Sequence, residues 1–135
     1  MGADRKTSSA DRQEDSGQPE QISPKDRKAV QTLLSALKPI SDVRDRPIPL
    51  PFAVVFLSVM LNEGQPVGWY AKELNMTRFA MSKYIRSIGP RAENDALGLR
   101  LVTIKRSQGG RGKSAVVLTD KGRAVAAEVF RRLRE

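Results

Sequence analysis

Residues 70–88, Tyr70-Ala71-Lys72-Glu73-Leu74-Asn75-Met76-Thr77-Arg78-Phe79-Ala80-Met81-Ser82-Lys83-Tyr84-Ile85-Arg86-Ser87-Ile88, read as two short helices joined by a tight turn. Ala71 is small where the two helices must approach closely, and Leu74 and Met76 are apolar where the turn packs inward. Thr77 carries a hydroxyl that can cap the second helix. Within that helix Met81, Tyr84, Ile85 and Ile88 recur at helical spacing as an inward stripe, which leaves Arg78, Phe79, Ser82, Lys83 and Arg86 on the other side.

Such a face is usually just the solvated side of a surface helix. Two things argue against that here: the turn spacing, and a hairpin that follows. Leu99 to Arg106 favours a strand and Ser114 to Thr119 another. Between them Ser107-Gln108-Gly109-Gly110-Arg111-Gly112-Lys113 is a glycine-rich, basic tip, so the pair forms a wing over about 101–119. The tip lacks the GxxxxGK[ST] spacing of a phosphate-binding loop, which argues against a nucleotide site.

Charge points the same way. The chain of 135 residues has a formal net charge of +9, and residues 1–22 account for −2 of it, leaving +11 for the rest. That balance attracts polyanions and says nothing of fold. There is no cysteine and no histidine, so disulfides, thiolate chemistry, the usual zinc sites and any Ser-His or Cys-His pair are excluded. No paired carboxylates stand out either; the expectation is a non-enzyme without metal or cofactor. No run reaches the roughly 20 apolar residues a membrane helix needs. A cytoplasmic, nucleoid-associated protein is expected.

Residues 1–22 are polar and hold no periodic apolar pattern, as expected of a disordered tail before a single domain over 23–135. Ser23-Pro24 starts a helix whose Val30, Leu33, Leu34 and Leu37 form an apolar stripe, ending near Pro39. Pro47, Pro49 and Pro51 mark an extended connector. Phe52 to Leu61 is apolar almost all round and reads as a buried central helix, although a strand is also compatible with its valines and phenylalanines. A closing helix from about Thr119 carries Val125, Ala126, Val129, Phe130 and Leu133 on one broad face. The first and last helices either pack on their own domain or pair with a second copy.

The run Tyr70 to Thr77 with Met81-Ser82-Lys83, the strand Leu101 to Arg106, and above all Leu118-Thr119-Asp120-Lys121-Gly122 resemble winged-helix regulators of the MarR type. The likeness spans about residues 24–135. It implies a mainly α fold with a small β-hairpin wing, flanked by N- and C-terminal dimerisation helices, and a homodimer reading a pseudo-palindromic site. Gly110 stands where the family's wing carries an Asp before its Arg. A ligand pocket near the dimer helices would fit the resemblance, but no polar cluster in the sequence marks an effector.

The resulting expectation is a sequence-specific regulator of double-stranded DNA, with helix 77–88 in the major groove. Thr77, Arg78, Phe79, Ser82, Lys83 and Arg86 are the candidate groove contacts, and Arg78 or Arg86 can read a guanine edge. Lys72, Lys105, Arg106, Arg111 and Lys113 are candidates for phosphate or the minor groove. Phe79 has two readings: contact with a thymine methyl group, or packing back on the preceding helix. An architectural or replication-associated DNA binder and a winged-helix protein-docking module are the alternatives.

Overall fold

The computed structural model describes residues 22–90, 98–106 and 114–135. In chain order the elements are α1 (Pro24–Ser41), α2 (Leu50–Leu61), α3 (Val67–Glu73), α4 (Arg78–Ile88), β1 (Val102–Arg106), β2 (Ser114–Leu118) and α5 (Asp120–Arg134). By compactness the chain divides between Leu33 and Leu34. Of the first unit the described part is Ile22–Leu33, the start of α1; the second unit holds everything after it. Most of the polar N-terminal stretch, the wing tip 107–113 and the link 91–97 lie outside the described residues.

The helix start is as the sequence predicts, with the Asp26 N–H donating to Ser23 Oγ at 3.0 Å and Pro24 as the first helical residue. The end is not. α1 runs past Pro39 to Ser41. A proline inside a helix has no N–H to offer the carbonyl four residues back and crowds it. Here that carbonyl, of Ser35, accepts a hydrogen bond from Arg132 Nη1 of α5 at 3.0 Å, so the orphaned acceptor is satisfied from outside and the helix continues. Val30, Leu33 and Leu34 of the expected stripe are exposed, Leu34 to 66%, while Ala36 and Ile40 are the residues of α1 that are buried.

Phe52 to Leu61 is helical, as read, within an α2 that begins at Leu50. Its burial differs from the expectation. Ala53, Val55, Phe56 and Val59 are buried, but Leu50, Val54 and Leu61 are exposed, so the helix has an apolar side in water. The connector before it is stiffened by Arg44, which donates to the carbonyls of Pro47 at 2.7 Å and Arg46 at 3.3 Å.

The core gathers Phe56, Tyr70, Met81, Ile85, Ile88, Leu101, Val102 and Val116, all at most 1% exposed. Tyr84 is half-buried and meets Phe52 edge to face, ring centroids 5.2 Å apart. Ala71 is buried in α3, where its small side chain suits the close approach of α4. The turn between them uses Asn75 in the left-handed region (φ 55°), and the Met76 N–H donates to the Ala71 carbonyl at 2.8 Å. Asparagine is one of the few side chains that tolerate this conformation.

β1 and β2 pair antiparallel, with Val102 opposite Leu118 and Arg106 opposite Ser114. The strand starts later than expected: residues 99–101 precede it and cap α4 instead. The N–H groups of Leu99, Arg100 and Leu101 donate to the carbonyls of Ser87, Gly89 and Ile88 at 3.1, 2.8 and 2.7 Å. These are acceptors that a helix end leaves unpaired. The path requires left-handed backbone at Gly98 and at Arg100 (φ 61°), a conformation that strains the arginine.

Candidate nucleic-acid interface

The outward face of α4 begins with its cap. Thr77 Oγ1 accepts the Ala80 N–H at 3.0 Å, which fixes where the helix starts and turns Phe79, Ser82, Lys83 and Arg86 onto one side at i, i+3, i+4 and i+7. Lys83 and Arg86 are exposed and Ser82 is half-buried. Arg86 Nη1 donates to Ser82 Oγ at 2.9 Å, which folds the guanidinium back along the helix and leaves its remaining donors unspent on α4. No acidic residue occurs in α4. An ordinary solvated helix face mixes charges of both signs; this one carries cations only.

Arg78 behaves differently. A Cβ built on Gly68 would lie 3.6 Å from its Nη1, so the guanidinium rests beside the start of α3, away from the middle of the face. Lys72 is exposed in the last turn of α3. Phe79 is 78% exposed, which removes the reading in which it folds back into the core.

Across from α4, the exposed end of β1 supplies Lys105 and Arg106. A cleft of about 440 Å³ separates the two elements, lined by Ser82, Ile85 and Arg86 from α4, Val102, Thr103, Ile104 and Arg106 from β1, and Val67, Gly89 and Pro90. Ser82, Arg86 and Arg106 therefore share one cleft. Lys105 and Arg106 border another, of about 530 Å³, with Gly64, Gln65, Pro66, Ser114 and Ala115. Arg111 and Lys113 lie outside the described residues.

What holds the hairpin beside α4 was not visible as a motif. Glu63 Oε2 accepts the Leu118 N–H at 2.8 Å and pairs with Arg123 Nη2 at 2.7 Å, tying α5 and β2 to the loop after α2. The same loop pairs with β2, Gly64 N–H donating to Val116 O at 2.8 Å and Val116 N–H to Gln65 O at 2.9 Å. Tyr70, buried in α3, donates its hydroxyl to the Asn62 carbonyl and accepts from the Gln65 N–H at 3.3 Å. Burial pushes its phenol above the ordinary range. These partners are up to 60 residues apart in sequence, and only folding brings them together.

At the other end of the hairpin the Leu118–Gly122 run explains itself. Thr119 Oγ1 accepts the Gly122 N–H at 3.0 Å as the cap of α5 and donates to Arg100 O at 2.6 Å. The Thr119 N–H donates to Leu101 O at 3.1 Å, and Lys121 Nζ to Leu99 O at 2.9 Å. A Cβ on Gly122 would fall 1.9 Å from Leu101 O, so the close approach of helix and strand admits glycine alone.

No protein-family model matches the chain, and no curated protein matches it. Solved structures do. The MarR-like transcriptional regulator Tm0816 from Thermotoga maritima aligns with a TM-score of 0.54 at 20% identity, over 80% of this chain and 74% of that one. A MarR family protein from Bacillus stearothermophilus aligns at 0.52 and 16%, over 80% and 68%. Overoxidized AbfR bound to DNA aligns at 0.51 and 17%, over 80% and 69%. At these identities the likeness establishes the fold. The chain has the winged helix-turn-helix architecture of MarR-type regulators, mainly helical with a β-hairpin wing.

Proposed function

We propose that this protein is a double-stranded DNA-binding transcriptional regulator and not an enzyme, with α4 in the major groove and the wing on phosphate or in the minor groove. The observation that carries the reading is the acid-free outward face of α4, where Lys83 is exposed and where Ser82 and Arg86 share a cleft with Arg106 of β1. A phosphate backbone passing between groove-reading helix and wing is offered cations from both. One solved structure of the same fold is a DNA complex, which supports the reading.

In this reading Lys83 and Arg86 contact base edges or flanking phosphates, and Arg86 is the better candidate for a guanine because Ser82 already orders it. Thr77 acts mainly by placing the helix, and Arg78 and Lys72 meet the backbone from the α3 side. Lys105 and Arg106, with Arg111 and Lys113 of the tip, take phosphate or the minor groove. The protein works as a homodimer whose half-sites are about one helical turn, roughly 10 bp, apart. Exposed apolar residues at both ends of the chain, Leu34 on α1 and Phe130 and Leu133 on α5, support a second copy as the partner. Among the described residues no helix is long and apolar enough to cross a membrane; we place the protein in the cytoplasm with DNA.

The test is salt-dependent binding to a randomised duplex pool, wild type against Arg86→Ala. Enrichment of a two-fold symmetric site, relaxed by Arg86→Ala at one base pair per half-site, is the expected result. Salt-sensitive binding without enrichment favours the architectural role, and absence of salt-sensitive binding favours the docking module.

A further inference from the structure

Of the aromatic side chains, Phe56 and Tyr70 are fully buried, Phe52, Trp69 and Tyr84 half-buried, several of them paired edge to face, and Phe130 on α5 is 42% exposed. Phe79 is 78% exposed, in the first turn of α4, on the same face as Ser82, Lys83 and Arg86. Among the described residues the ring is left largely in solvent, and the side chains that share its face of α4, Ser82, Lys83 and Arg86, are polar. The N-terminal residues of a groove-reading helix are those that reach base edges. The major groove presents one apolar group, the thymine 5-methyl.

Resting on the DNA-binding reading above, we propose that Phe79 is a specificity-determining residue that packs on a thymine methyl, so that each half-site requires a thymine at one position. Lys83 and Arg86, one and two turns further on, satisfy the phosphates or polar base edges beside it. The contact is insensitive to the Watson–Crick edge and depends on the methyl alone.

The experiment takes the sequence enriched from the duplex pool and replaces each thymine in turn with deoxyuridine, which removes only the methyl group. Wild type is expected to lose about three- to fivefold in affinity at one thymine per half-site, the worth of one buried methyl. 5-Bromodeoxyuridine, whose bromine fills the same space, restores it. Phe79→Ala binds the thymine duplex more weakly and no longer distinguishes thymine from uracil; as the ring is exposed, its melting temperature matches wild type. Tolerance of deoxyuridine at every position overturns the proposal while leaving the regulator reading intact, as does a penalty that Phe79→Ala retains. A Phe79→Ala variant whose sedimentation shifts while its DNA affinity stays unchanged assigns the ring to a protein contact instead. Failure to enrich any sequence overturns both readings.

Discussion

Gly122 shows how far one missing methyl group can carry. Its α-carbon lies so close to Leu101 O that any side chain must displace either α5 or the base of the wing. Gly122→Ala is therefore expected to lower stability by about 2–3 kcal/mol, at the upper end of overpacking effects, even though alanine is the better helix former. Urea unfolding checks this; an unchanged midpoint would mean the helix shifts freely. Tyr70→Phe isolates the opposite kind of residue. It keeps the buried ring and removes the hydroxyl that Asn62 and Gln65 share. A loss of about 1–2 kcal/mol by the same measurement is expected, since the Gln65 N–H and Asn62 carbonyl lose a partner at a part-buried site. On the surface of α5, Arg131 and Arg132 bond the Glu128 carboxylate and hold it down to about 2 from the ordinary 4.5. A lowered folded-state value means that its contribution is fully present above about 4.5 and is lost as pH falls toward 2. An NMR titration of the Glu128 carboxyl carbon should thus show no step between pH 7 and 4; a midpoint near 4.5 would show the arginines disengaged.

The elements were legible in proportion to how local their causes are. The helix-turn-helix could be read because Thr77, Ala71 and the Met81–Ile85–Ile88 stripe act within a few residues of themselves, and the α5 start because Thr119 caps its own turn. α1 misled because its continuation past Pro39 depends on a donor from Arg132, 97 residues away from the Ser35 carbonyl it meets. The apolar side of α2 misled for a related reason: composition shows how much of a helix is greasy, not how much of it finds a neighbour. In the candidate interface, the cations and Phe79 could be named, but not which way they point. Arg78 and Arg86 look equivalent in sequence; in the structure one guanidinium lies beside Gly68 and Ser82 orders the other. The wing has its own determinant in Glu63, which no pattern announces. Glu63→Ala leaves the Leu118 N–H without its acceptor and frees Arg123. It should cost about 1–3 kcal/mol and weaken DNA binding, although Glu63 is not among the residues proposed to touch DNA. Equal affinity at a temperature where the variant remains folded would show the hairpin to be held well enough without it.

For the molecule as a whole, the balance of charge and apolar exposure sets the behaviour in solution. Residues 23–135 carry +11 and repel copies of themselves, so a dimer is expected to rest on apolar contact. Phe130 and Leu133 on α5 are the exposed residues best placed to supply it, next to a buried Val129 that keeps the helix on its own core. Phe130→Asp is expected to raise the dissociation constant of the dimer by about 10- to 100-fold, in line with loss of a buried aromatic anchor, without unfolding the protomer. Sedimentation equilibrium at several concentrations reads this directly. A monomeric wild type would remove the proposed two-half-site geometry and leave one α4 and one wing to account for any DNA binding.

Three consecutive residues, Leu99, Arg100 and Leu101, give their N–H groups to the end of α4 and their carbonyls to Thr119 and Lys121 at the start of α5. Both edges of one short peptide are thereby spoken for, with no slack between the helix proposed to read DNA and the helix proposed to meet a partner. A twist applied to α5 would meet this joint before any other and would be expected to reach α4 as a change of angle. Were the proposed dimer joined through α5, the spacing and pitch of its two α4 helices would be set by that partner contact, with the strained Arg100 as the pin on which the gearing turns.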